Sequence, residues 1–176
     1  MNTIDAIMTR NSVRNYSDKK ISSDDMETIL KAAMSGPSAT NARDWTFIVA
    51  QDRDVLNKMA DANGVPAKPL RTAAAGILIC GDLDRAFKGA PNYWIIDCAI
   101  AGQNINLTAK ELGIGAVWLG TYPETDRIDA LRELFGLPEN IIPHSILALG
   151  YEEEDSSGRP KLSKKYEPER VHWDKW

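Results

Sequence analysis

Two arginines and a serine stand within five residues in Arg10-Asn11-Ser12-Val13-Arg14. They follow a short apolar-periodic stretch, Ile4, Ile7 and Met8. A helix ending at that point presents two guanidinium forks and a hydroxyl side by side. Arginine meets phosphate oxygens through paired, charge-assisted hydrogen bonds, so such a cluster is a receptor for a phosphate group. The plainer alternative is that arginines in a last turn answer the negative end of the helix dipole.

Two further segments carry polar or backbone groups suited to a ligand. In Ser35-Gly36-Pro37-Ser38-Ala39-Thr40-Asn41, followed by Arg43-Asp44-Trp45, a Gly-Pro turn leads short polar side chains into a strand. Such a loop offers hydroxyls, an amide and free N–H groups, although a plain connector has the same turn formers. Gly113-Ile-Gly-Ala-Val-Trp-Leu-Gly120 looks at first like a dinucleotide fingerprint. It fails because its glycines follow a helix and precede a strand, and Trp118 fills the third glycine's place. What is left is a strand in which Gly120 permits close approach of backbone to a flat ligand.

The elements that must hold these groups are legible in outline. Ser22 and Ser23 cap a helix whose stripe is Met26, Ile29, Leu30 and Ala33. Strands are expected at 46–50, 76–80, 116–119 and 145–150, from their β-branched and apolar runs. Short helices are expected at 52–62 and, capped by Thr125 or Asp126, through Leu131, Leu134 and Phe135. The longest helix spans Asn92 to Leu112 and is apolar on most faces, so it is buried in the core or against another subunit. Helices outnumber strands and two precede the first strand, which excludes an even β-α-β alternation. A small central sheet covered by helices is expected.

Bulk composition sets limits. The 176 residues suit one domain, with 43% hydrophobic and 26% charged residues and a net charge of −4. There is no basic face for nucleic acid and no apolar run long enough for a membrane span. The N-terminus has no charged-then-apolar leader, so a cytoplasmic location is expected. Cys80 and Cys98 sit in apolar runs as buried thiols. His144 and His172 lack ligand spacing, so no metal is expected. Trp45, Trp94 and Trp118 read as core or interface. The polar tail from about 151 to 176 carries Tyr166, Trp173 and Trp176, too many aromatics for a free tail.

Taken together, the segments resemble the nitroreductase family of flavin-dependent oxidoreductases. The matching pieces are Arg10 to Arg14 with Tyr16, then Pro37 to Asn41 with Trp45 and Phe47, then Gly113 to Gly120, and last Lys165-Tyr166 with Val171-His172-Trp173. They come in the family's order over nearly the whole chain. The resemblance implies one α+β domain over 1–176 and an intertwined homodimer with two FMN sites at the subunit interface. It implies that Arg10 and Ser12, with Asn11 between them, hold the FMN phosphate, helped by a basic residue near the C-terminus. Lys165 fits that last role best, with Lys161 and Lys164 close by. Arg14 is placed at the pyrimidine end of the flavin. Pro37, Ser38, Ala39 and Asn41 reach it from the partner subunit, and the backbone at Leu119 and Gly120 lies by flavin N5. The tail packs on the partner.

The implied activity is transfer of electrons from NADH or NADPH, through the flavin, to an electron-poor acceptor such as a nitroaromatic or quinone. The cofactor carries that chemistry, in keeping with a sequence that shows no triad or paired carboxylates. Two alternatives stay open: a narrow-substrate enzyme acting on one metabolite or on flavin itself, and a protein that stores or senses FMN. One departure is local. Arg43-Asp44 stands where the family often has Gln-Pro, and Arg43 either adds positive charge near the ligand or pairs with Asp44 or another acid.

Overall fold

The computed structural model describes residues 2–153 and 166–176. Among the described residues, five α-helices and four strands follow one another as α1 (Thr3–Thr9), α2 (Ser23–Ala33), β1 (Trp45–Ala50), α3 (Arg53–Asn63), β2 (Ala75–Asp82), α4 (Trp94–Glu111), β3 (Gly115–Gly120), α5 (Thr125–Phe135) and β4 (Ile141–Gly150). Short 3-10 turns at Ala39–Asn41, Val65–Arg71, Pro91–Tyr93 and Pro168–Arg170 fill the joints. This is an α+β fold.

Helix starts follow local chemistry. The side chains of Asn2, Ser22 and Asp52 accept from backbone N–H groups in the first turns of α1, α2 and α3. The start of α5 departs from expectation. Thr125 is its first residue, and its N-cap is Glu124, which makes no side-chain capping bond. Gly136 ends that helix in the left-handed conformation, at φ 60°.

The sheet has strand order β1-β2-β4-β3, and every neighbouring pair is antiparallel. Both faces are covered, so β2 and β4 are apolar on both sides rather than alternating. On one face Ile77, Ile79, Leu147 and Leu149 pack under Ile29 and Ala33 of α2 and Cys98, Ala101 and Ile105 of α4. On the other, Leu78, Cys80, Ile146 and Ala148 pack against Leu56 and Met59 of α3 and Leu131 of α5. Strand β4 begins four residues before the expected Ser145, at Ile141. Pro143 hides that extension in the sequence because proline breaks a ladder. Here it faces Cys80 where the register shifts, a place where a missing N–H is tolerated.

The long helix begins at Trp94 rather than Asn92, after the Pro91–Tyr93 turn. It buries one face deeply and leaves Ile96 53% exposed on another. Helix α1 likewise turns Ile4, Ile7 and Met8 outward. In the tail, Tyr166, Trp173 and Trp176 are exposed, and the rings of His172 and Trp176 stack at 4.3 Å. Among the described residues, no helix is long and apolar enough to cross a membrane.

Candidate functional site

The arginine cluster is held by backbone. After α1 the chain turns along the outer edge of β3, where Ser12 bridges Ala116 in parallel and the Val13 N–H donates to the Ala116 carbonyl at 3.0 Å. Two glycines permit the approach. A Cβ on Gly115 would lie 2.8 Å from Val13, and one on Gly150 would lie 2.8 Å from the Tyr16 ring. The Tyr16 hydroxyl lies 2.6 Å from the Val13 carbonyl and 2.9 Å from that of Ala148, one proton serving both. Burial pushes that phenol well above its ordinary pKa, so it stays a donor.

With Val13 and Tyr16 pointing inward, the alternating residues are turned out. Ser12 and Arg14 are exposed and Arg10 is half-buried at the C-cap of α1. The Arg14 guanidinium lies 3.4 Å from the Ser12 carbonyl. Arg10 and Asn11 line a cavity of about 90 Å³ together with Asn106, Lys110, Gly113 and Glu152. Two cations against one acid make this recess favourable to a small anionic group. Lys110 is a residue that sequence reasoning missed. It comes from the last turn of α4, about a hundred positions away, and only the fold brings it to Arg10.

At the far end of β3 the backbone is fixed differently. Leu119 is buried, while a Cβ on Gly120 would meet none of the described residues within 4 Å. That face of the backbone is open. The Gly120 carbonyl accepts from the Asn63 amide at 3.1 Å and from Arg127 at 3.0 Å. The Thr121 hydroxyl in turn donates to Asn63 Oδ1 at 2.7 Å, and both of these side chains are fully buried. The peptide group at Gly120 is therefore clamped from behind and free in front. Asn63 and Thr121 carried no signal in the sequence, because the bonds that Asn63 makes span 57 and 58 positions. At about 3.3 Å per residue, Gly120 stands about 13 Å along the strand from Ala116, a span suited to an elongated ligand.

The Pro37–Asn41 loop sits elsewhere in the chain. The Asp97 carboxylate accepts from the Ala39 N–H at 2.9 Å, and Ser38 Oγ accepts from the Arg43 N–H at 2.9 Å. Pro37 and Asn41 are exposed, and Ser38 and Ala39 half-buried. Asp97 lies nine residues before Asn106 and thirteen before Lys110 on α4, about 14 and 20 Å at 1.5 Å per residue. Within one chain, the loop and the arginine cavity therefore meet opposite halves of the same helix. Of the remaining expected site residues, Lys165, with Lys161 and Lys164, lies outside the described residues.

Two electrostatic features stand near these groups. Arg43 does not pair with Asp44: both Asp44 carboxylate oxygens are buried without a hydrogen-bond partner among the described residues. Of the alternatives for Arg43, the structure removes the pairing with Asp44, since Asp44 turns into the core while Arg43 is exposed beside a groove with Trp45 and Phe47. His144, near the start of β4, lies edge-on to Trp94 and Trp118 at 5.9 and 6.0 Å. Burial lowers its pKa to about 4, so it is neutral at ordinary pH. Among the described residues, no group of three His, Cys, Asp or Glu could hold a metal ion.

Comparison with known proteins bears on the family and the fold. A profile of the nitroreductase family matches residues 7–75 and 63–151. A provisionally named NADH dehydrogenase/NAD(P)H nitroreductase of Archaeoglobus fulgidus is 46% identical over 170 residues, covering 97% of this chain and 96% of that one. A provisionally named NADH oxidase of Clostridium acetobutylicum, solved as a crystal structure, has a TM-score of 0.90 at 36% identity, over 98% of this chain and 100% of that one. An FMN-dependent nitroreductase of Clostridium difficile has a TM-score of 0.87 at 26% identity, over 98% and 99%.

Proposed function

The chain belongs to the nitroreductase family, and on that premise we propose that it is an NAD(P)H-dependent FMN oxidoreductase acting as a homodimer. It takes electrons from NADH or NADPH and passes them to an electron-poor small molecule such as a nitroaromatic or a quinone. The observation that carries this reading is the arrangement along β3. An arginine-lined recess stands at one end of the strand, and an open, clamped backbone at Gly120 stands at the other.

The residues fit FMN. Arg10 and Ser12, with Asn11, suit its phosphate, and we assign Lys165 to the same group. Arg14 suits the pyrimidine end, where its charge favours an anionic reduced ring. The peptide backbone at Leu119 and Gly120 suits the edge of the ring at N5. When bound, FMN supplies the hydride-accepting chemistry; the chain supplies binding, orientation and charge.

A second copy is part of the proposal. Pro37, Ser38, Ala39 and Asn41 are assigned to the flavin bound mainly by the partner, which accounts for a loop that stands apart from the arginine recess of its own chain. Exposed Ile96 on α4, the outward face of α1 and the aromatic tail are the apolar surfaces such a dimer covers. The tail from about 151 to 176 is assigned to the partner's surface.

The test is fluorescence titration of the apoprotein with FMN. Replacing Arg10 and Ser12 together by Ala removes charge-assisted bonds of about 1.5–3 kcal/mol and so weakens FMN binding at least about tenfold. Undiminished affinity in that double variant would overturn the phosphate assignment.

A further inference from the structure

Asp44 lies between the Pro37–Asn41 loop and β1, and it is fully buried, with neither carboxylate oxygen hydrogen-bonded among the described residues. A buried carboxylate left without partners is costly when ionised, and it is relieved by holding a proton. Its surroundings make ionisation harder. Asp97 of α4 stands beside it, and Asp82 at the end of β2 adds more negative charge. Burial, followed by the charge of Asp97 and the close side-chain approach of the two acids, raises Asp44 to about 6. Cys98 on α4 faces the same acids and is held as a neutral thiol. The arginines of the adjoining groove are Arg43 and Arg85. Arg85 spends its Nε–H on the Arg43 carbonyl at 3.1 Å.

Asp97 has a specific task in this cluster. It is buried itself, and its Oδ2 receives the Ala39 N–H. The loop it holds is strained: Thr40, Asn41 and Arg43 have φ of 51°, 58° and 51°, a region that residues other than glycine rarely adopt. Such a conformation persists only when its surroundings over-determine it. Besides Asp97, the restraints among the described residues include the Ser38 Oγ bond to the Arg43 N–H, the Arg85 bond to the Arg43 carbonyl, and two turn bonds, Asn41 N–H to the Ser38 carbonyl and Ala42 N–H to the Ala39 carbonyl. Among the described residues, Asp97 thus ties the loop to α4 at Ala39, as Arg85 holds it at Arg43, and Asp97 stands next to an acid that must carry a proton for the pair to sit together.

We propose that Asp97 is a positioning residue that fixes the Pro37–Asn41 loop through Ala39, and that a protonated Asp44 is what keeps this anchor in place. Loss of the Asp44 proton to solvent sets two carboxylates against each other in a buried site, and Asp97 yields its hold on Ala39. The consequence for FMN rests on the proposed function, because only that reading brings the loop to a flavin. The tie itself does not.

The experiment follows amide exchange of Ala39 by NMR in the apoprotein between pH 5 and 8, each rate corrected for its intrinsic pH dependence. In the natural chain, protection of Ala39 falls at least about fivefold as pH rises through about 6. In Asp44→Asn, whose amide can donate to Asp97 and carries no charge, protection stays level. In Asp97→Ala it is low throughout, and Asp97→Asn restores part of it. A level profile in the natural chain, or an Asp44→Asn profile that tracks it, overturns the proposal even where Asp97→Ala does not fold. FMN affinity of Asp97→Asn separates the two layers. Altered exchange with a weaker FMN affinity supports both. Altered exchange with unchanged FMN affinity supports the positioning role and contradicts the flavin role of the loop.

Discussion

Asp44 and His144 bias the same molecule in opposite directions with pH. The folded-state pKa of Asp44 is raised from 3.8 to about 6, so the folded chain binds the extra proton and stability falls as pH rises through that window. The folded-state pKa of His144 is lowered from 6.5 to about 4, so the unfolded chain binds the extra proton and stability is lost as pH falls from 6.5 towards 4. Each slope reaches about 1.4 kcal/mol per pH unit, and the two offset one another between pH 4 and 6. Asp44→Asn removes one of them. Urea denaturation across this range is expected to show a steeper rise of stability with pH in the variant than in the natural chain. Equal slopes would contradict the burial of an uncompensated Asp44. At this scale the sequence disclosed residue types and not environments. Arg10, Ser12 and Arg14 announce themselves by composition, whereas the burial of Asp44 and the clamp of Asn63 on Gly120 depend on partners that only the fold supplies.

The segment from Arg10 to Tyr16 is a fifth, irregular edge laid on β3, and it is positioned by what β3 and β4 lack. Gly115→Ala drives a Cβ to within 2.8 Å of Val13, whose branched side chain has no flexible end with which to yield. The expected cost is about 1–3 kcal/mol, and the segment carrying the arginines is displaced from β3. Chemical denaturation measures the first effect, and an accompanying loss of FMN affinity reports the second. A variant as stable as the natural chain would contradict the close packing. Elements themselves were largely readable: the cap at Ser22, the stop at Gly136 and the apolar runs of the four strands follow from local rules. The exceptions have local causes as well. Pro143 hid the start of β4, and Pro91 opens a 3-10 turn ahead of α4. The sheet order β1-β2-β4-β3 was not legible, because it is decided by pairings between distant segments such as Ala75 with Leu149.

At the scale of the whole molecule, the apolar character of α4 on most of its faces has two different outcomes. One side meets α2 and the sheet, and the other presents Ile96 to the surroundings. Together with Trp173 and Trp176, at 80% and 99% exposure, this leaves more apolar surface than a single copy hides. Sedimentation of the natural chain is therefore expected to give twice the mass of one chain. Ile96→Glu sets a charge on that surface and is expected to shift the equilibrium towards monomer. A natural chain that sediments as a monomer would contradict the dimer. The central claim is that this molecule binds FMN and lets NAD(P)H reduce it. The most direct test is the visible absorption spectrum of the FMN-loaded protein, recorded without oxygen before and after adding NADPH or NADH. A bound-flavin spectrum that bleaches on addition is the predicted result. A protein that takes up no FMN, or one whose flavin stays oxidised with both donors, would contradict it.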